Sequence, residues 1–120
     1  MKLLDLLRRP EGKTLELKRE LSSPDAFLRS VVAFANTAGG IVLIGVEDGT
    51  GHVVGVGQPL RLEERVANLI KDSISPRILP DIELLSYRDA NVLAVQVYPS
   101  AARPHHVIRA GPSNGTYVRV

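Results

Sequence analysis

Phe34-Ala35-Asn36-Thr37-Ala38-Gly39-Gly40-Ile41-Val42-Leu43-Ile44-Gly45-Val46-Glu47-Asp48-Gly49 joins an apolar helix end, a double glycine, an apolar strand and an acidic turn without a spacer. Gly39 stands where the left-handed residue that closes a helix belongs, and Gly40 lets the chain reverse at once into a strand over residues 41–46. That strand is apolar on both faces, which predicts a central place in a sheet. Asn36 and Thr37 at the helix end, the glycine backbone and the Glu47 and Asp48 carboxylates are expected around one edge, the candidate site.

Upstream, Ser22-Ser23-Pro24-Asp25 offers an N-cap hydroxyl, a proline for the first helical position and an early acid. Phe27, Leu28, Val31, Val32, Phe34 and Ala35 follow at helical spacing, predicting a helix over residues 24–38. Residues 14–18 alternate Leu15 and Leu17 with Thr14, Glu16 and Lys18, the pattern of a strand with one wet face. Leu3, Leu4, Leu6 and Leu7 fit a short helix that Pro10 ends. Downstream, Asp48-Gly49-Thr50-Gly51 has turn chemistry, and residues 52–56 are expected to return antiparallel beside the central strand. Leu62, Val66, Leu69, Ile70 and Ile74 mark a second main helix stopped by Pro76. Residues 82–87 and 91–98 form a hairpin through Arg88-Asp89-Ala90, residues 103–110 an extended arm or edge strand, and residues 115–120 a last short strand. This order predicts an α+β fold with a mixed, mostly antiparallel sheet and its two main helices on one side. Strict βαβ alternation is missing, which argues against a dinucleotide fold.

At 120 residues the chain is sized for one domain over residues 1–120 with one core. Its 44% hydrophobic and 23% charged residues exclude disorder, and no apolar run approaches the roughly 20 residues of a bilayer span. Asp5, Arg8 and Arg9 interrupt the leucine-rich start, which lacks a signal-peptide pattern, so a cytoplasmic protein without a membrane partner is expected. Cysteine is absent, which removes disulfides and thiolate metal sites. The net charge of +2 argues little by itself, but it is unevenly spread. Beyond Asp89 the chain has no acid, only Arg103, Arg109 and Arg119 with His105 and His106. Arg8, Arg9, Lys13, Lys18 and Arg19 form a second basic group interleaved with Glu11, Glu16 and Glu20. Local clusters govern affinity for polyanions, although any one such residue reads equally as a solubility charge.

The glycines of residues 45–57 carry no GxxxxGK[ST] pattern, which argues against ATP as a substrate. Glu11, Glu16 and Asp48 converge if the first strand neighbours the central one. Three carboxylates suit Mg²⁺ or Mn²⁺ beside a phosphodiester, with Lys18 on the phosphate charge. Equally, Glu16 with Lys18 reads as a surface pair and Asp48 as a turn former. Asn36 and Thr37 read as local backbone partners as readily as site residues. His105 and His106 are adjacent and point to opposite sides of an extended segment, so they suit contact of one with phosphate better than a shared metal.

Thr14-Leu15-Glu16-Leu17-Lys18, the central block, the Pro76 stop, Arg103-Pro104 and Gly115-Thr116-Tyr117-Val118-Arg119, in that order, resemble the Schlafen AlbA-type domain family, also described as a divergent AAA domain. The resemblance spans nearly the whole chain. It implies a DNA- or RNA-binding module excised from a longer transcriptional regulator, with Lys18, Arg19, Asn36, Arg103, Arg109 and Arg119 on the nucleic acid. Only 4% of residues are aromatic, so little base reading is expected. Some eukaryotic relatives cleave structured RNA with a metal on three carboxylates, which by motif position implies Glu11, Glu16 and Asp48, with Glu47 as the fallback for the third. A Mg- or Mn-dependent endoribonuclease is therefore the alternative to a non-enzymatic module, and a nucleotide-sensing or oligomerisation domain a further one. The nuclease relatives close a groove between two lobes and one lobe is encoded here. A homodimer would be needed to imitate that groove, and it would cover exposed hairpin edges.

Overall fold

The computed structural model of the protein describes residues 2–119. A short helix α1 (Leu3–Leu7) precedes strand β1 (Leu15–Lys18), helix α2 (Pro24–Ala35) and strand β2 (Gly40–Ile44). Ser23 caps α2 by accepting the Ala26 amide at 3.3 Å, and Pro24 takes the first helical position. The helix ends at Ala35, short of residue 38, because residues 36–38 tighten into a turn. Gly39 closes it at φ +76°, with its amide on the Phe34 carbonyl at 2.9 Å. A Cβ on Gly39 would stand 2.7 Å from the Val97 carbonyl oxygen, and one on Gly40 2.5 Å from the Phe34 ring. The double glycine therefore serves conformation at one residue and close packing at both.

The main sheet is completed by β4 (Asp81–Tyr87) and β5 (Ala90–Val97), in the order β1-β2-β5-β4. β1 lies parallel to β2, with Leu15 opposite Ile41 and Lys18 opposite Ile44, whereas β2 with β5 and β5 with β4 are antiparallel. The fold is therefore α+β with a mixed, mostly antiparallel sheet. Between β2 and β4, helix α3 (Pro59–Ser73) runs directly into β3 (Ile74–Ser75), which pairs with β6 (His106–Val107) in a separate two-stranded ribbon. A 3₁₀ turn (Ile108–Ala110) and a short helix α4 (Gly111–Asn114) follow.

Period-two alternation divides the core between the two sheet faces. Phe27, Val31 and Phe34 of α2 and Val66 and Ile70 of α3 pack with Val42, Ile44, Leu93 and Val95. Leu3 and Leu6 of α1 pack on the other face with Leu15, Ile41, Leu43 and Val92. The two main helices share one face, as expected, and the short α1 covers the other. A strand apolar on both faces needs cover on both, and α1 supplies the second.

Three predicted strands shrink. Residues 52–56 contribute only a single bridge, Val53 to Val46. Gly45 at φ +111° and Gly55 at φ +75° turn the chain, so the Val54 and Gly55 amides both reach the Gly45 carbonyl and Val56 passes to Asn91. Residues 103–110 keep two strand residues before the 3₁₀ turn. Residues 115–119 form no strand. Gly115 instead closes α4, with its amide on the Gly111 carbonyl at 2.7 Å and its own carbonyl receiving the Val107 amide. Val120, the end of that predicted strand, lies outside the described residues. Among the described residues no helix is long and apolar enough to cross a membrane.

Candidate nucleic-acid interface

β1 presents Leu15 and Leu17 to the α1 side of the sheet and Glu16 to α2. The Ser30 hydroxyl on α2 donates to Glu16 Oε2 at 2.7 Å, and Lys18 Nζ lies 3.3 Å from the same oxygen. Arg119 Nη1 donates to Oε1 at 2.8 Å, while its Nε and Nη2 reach the Gly12 carbonyl at 3.1 and 2.6 Å and its guanidinium lies 4.7 Å from the Phe34 ring centre. Burial pushes the Glu16 carboxyl up, but Ser30, Arg119 and Lys18 together outweigh it and hold the group below its ordinary range.

Glu11, ahead of the tight turn that enters β1, accepts the Leu17 amide at 3.0 Å. Its carboxyl is pushed above the usual range by desolvation and by the Asp48 carboxyl against it, with the Glu16 charge adding and the Leu17 amide opposing. The parallel pairing of β1 with β2 thus brings Glu11, Glu16 and Asp48 to one rim. Glu16 has both oxygens engaged by cations and Ser30, and among the described residues no group of three such side chains is placed to hold a metal ion. The donor set does not fit Mg²⁺ or Mn²⁺ unless Arg119 and Lys18 leave. Glu47 accepts from Arg19 Nη1 at 3.0 Å and Thr50 Oγ1 at 3.3 Å, and so braces the turn.

Asn36 and Asp48 do not share an edge, because the length of β2 separates them. The Asn36 amide group donates to the carbonyls of His105 and Tyr117 at 3.0 and 2.9 Å, and its oxygen receives the His105 amide at 2.7 Å. Asn36 therefore ties the C-terminal segment to the end of α2. Thr37 bonds back to the Ala33 carbonyl at 2.6 Å. His105 is fully buried, with Nδ1 2.6 Å from the Pro76 carbonyl and Nε2 2.6 Å from Ser100 Oγ, which removes it from any phosphate.

The tie lays the acid-free C-terminal segment along α2. Arg103 reaches the Thr37 carbonyl at one end, Arg119 lies over Phe34, and Arg109 pairs with Asp25 at the other end. Two arginines of α3 that composition did not single out, Arg61 and Arg65, have no carboxylate partner among the described residues. Their signal was the spacing of four on the polar face of an amphipathic helix.

The family described as Schlafen, AlbA_2 matches residues 11–120. No curated protein matches the sequence. The N-terminal domain of an ATP-dependent DNA helicase RecG-related protein from Nitrosomonas europaea, solved by NMR, superposes with a TM-score of 0.77 at 25% identity, over 100% of this chain and 89% of that one. The crystal structure of the DIP2311 protein from Corynebacterium diphtheriae gives a TM-score of 0.70 at 21% identity, with 99% of this chain matching 24% of that longer one.

Proposed function

The chain belongs to the Schlafen AlbA_2 family, and from that premise we propose that it binds DNA or RNA as a non-catalytic module of a longer cytoplasmic transcriptional regulator. The observation that carries the reading is the arginine row along α2. A helix of 12 residues is about 18 Å long, which lets Arg103 and Arg109 at its ends meet phosphates a few nucleotides apart on one backbone. Lys18 and Arg19 extend the row at the exit of β1, while Asn36 and Arg119 hold the segment in place. Similarity to the N-terminal domain of a RecG-related protein supports the same class of ligand.

Anisotropy of labelled duplex DNA and of tRNA, titrated with protein across a salt series, tests the reading. Four phosphate contacts, by Lys18, Arg19, Arg103 and Arg109, predict a logarithmic slope of roughly −3.6 on duplex DNA. Absence of binding to both at low salt refutes it.

The endoribonuclease is the second reading, favoured by the parallel pairing that brings Glu11, Glu16 and Asp48 to one rim, and it requires Arg119 and Lys18 to leave Glu16. Incubation of tRNA with Mn²⁺ separates the two. Cleavage that disappears in Asp48→Asn supports the enzyme, and intact tRNA at saturating protein supports the module. A homodimer belongs to the same proposal, with the outer edges of β1 and β4 as its surfaces.

A further inference from the structure

An open cleft of about 780 Å³ lies at the carboxyl ends of the parallel pair β1 and β2, where Arg19 extends the arginine row onto its wall. It forms because the chain diverges there. Residues 19–21 leave β1 on one side, and Gly45 turns the chain after β2 so that residues 54–58 build the opposite wall against the first turns of α3. Leu21, Ile44 and Leu62 line it with aliphatic carbon, while Arg19, Arg61 and Arg65 bring guanidinium groups to it. Arg19 is paired with Glu47, and Arg61 donates only to the neutral Gln58 side chain at 3.1 Å. Arg65 is exposed, and neither it nor Arg61 has a carboxylate partner among the described residues.

A cavity of this size suits a ligand of one or two ring systems. Two unneutralised guanidinium groups one helical turn apart fit phosphate oxygens, and an aliphatic floor fits the face of a base or sugar. Glu20 and Glu64 also line the cleft, so it is not a uniformly cationic trough. Carboxylates there suit the exocyclic amino groups of bases. A base can reach such a floor only when it is unpaired, since a duplex keeps its bases stacked inside.

We propose that this cleft receives unpaired nucleotides of a DNA or RNA strand, with phosphates on Arg61 and Arg65. The proposal rests on the nucleic-acid reading above and adds to it a second contact surface selective for single strands. No aromatic ring lines the cleft. Affinity there depends on phosphate contacts, and salt weakens it steeply.

The test compares the wild type with Arg61→Ala/Arg65→Ala and with Gly57→Leu. Gly57 lines the cleft, and a Cβ there meets nothing within 4 Å, so a larger side chain enters without strain at its base. Probes are a labelled single strand of about eight deoxycytidines, a blunt duplex and cytidine monophosphate. The expected result is a loss of about tenfold or more in single-strand affinity in both variants, with duplex affinity unchanged. The single-strand salt slope should become shallower by about 1.4 for the double arginine variant. Wild-type single-strand affinity in both variants overturns the proposal while leaving duplex binding, and hence the wider reading, standing. Binding of the monophosphate without binding of the single strand also overturns it, in favour of a free nucleotide. No binding of any probe by the wild type sinks both readings.

Discussion

Replacing Arg119 by Met removes a guanidinium that joins the far end of the described chain to its beginning while keeping much of the aliphatic stem over Phe34. Two losses dominate. The charged hydrogen bond to Glu16, between side chains only 21% and 17% exposed, is worth about 1.5–3 kcal/mol. The cation over the Phe34 ring at 4.7 Å adds about 0.5–1 kcal/mol. The exposed Gly12 carbonyl exchanges its two donors for water at little net cost. The expected destabilisation is therefore about 2–4 kcal/mol, or a melting temperature roughly 10 °C lower for a chain of this size. Urea unfolding followed by circular dichroism measures it. Arg109→Ala is the control, because its pair with Asp25 is 75% and 55% exposed and should contribute under about 1 kcal/mol. A loss below about 0.5 kcal/mol in Arg119→Met, or an equal loss in Arg109→Ala, would show that the carboxylate cluster is not anchored in this way.

Glu16→Gln should cost about 2–3 kcal/mol at pH 7 by leaving Lys18 and Arg119 facing a neutral amide. Because the folded protein holds this carboxyl below its ordinary value of 4.5, the gap to wild type should persist above that pH and close as pH falls through the depressed value. A pH-independent gap would contradict the assignment. Glu11→Gln should act in the opposite sense. The folded carboxyl is raised, so the stability linked to its proton is lost as pH rises through the folded value, and an amide keeps the neutral form. The variant should melt higher than wild type at pH 7 and no higher at pH 3.5. Gly39→Ala should cost at least about 2 kcal/mol, from a left-handed backbone plus a Cβ 2.7 Å from the Val97 carbonyl, as thermal melting would report.

The centre of the fold was legible because its signals are local. Capping at Ser23, helical spacing to Ala35, the double glycine and the two-faced apolar strand each act within a few residues, and each predicted element is present. The neighbouring of β1 and β2, the condition on which the three carboxylates converge, is met by a parallel pairing. The periphery was less legible because its conformation depends on distant partners. Residues 52–56 follow a turn sequence and are rich in valine, yet two left-handed glycines divert them to Asn91. Asn36 reads in sequence as a local backbone partner or a site residue and Arg119 as a phosphate contact, and only their contacts more than 60 residues away in sequence reveal them as ties. His105 likewise carried no sign of burial, since Pro76 and Ser100, which receive its ring, lie in loops whose approach no periodicity encodes. Arg61 and Arg65 were overlooked for the opposite reason, because paired charges on an exposed helix face are common and the cleft beside them is a property of the loops.

Titration of ¹⁵N-labelled protein with duplex DNA at low salt, followed by amide chemical shifts, tests most directly whether this fold grips a polyanion. Progressive shifts at Lys18, Arg19, Arg103 and Arg109, reversed by added salt, are the expected result. Unchanged spectra at saturating DNA, or shifts confined to the α1 face of the sheet, would contradict it.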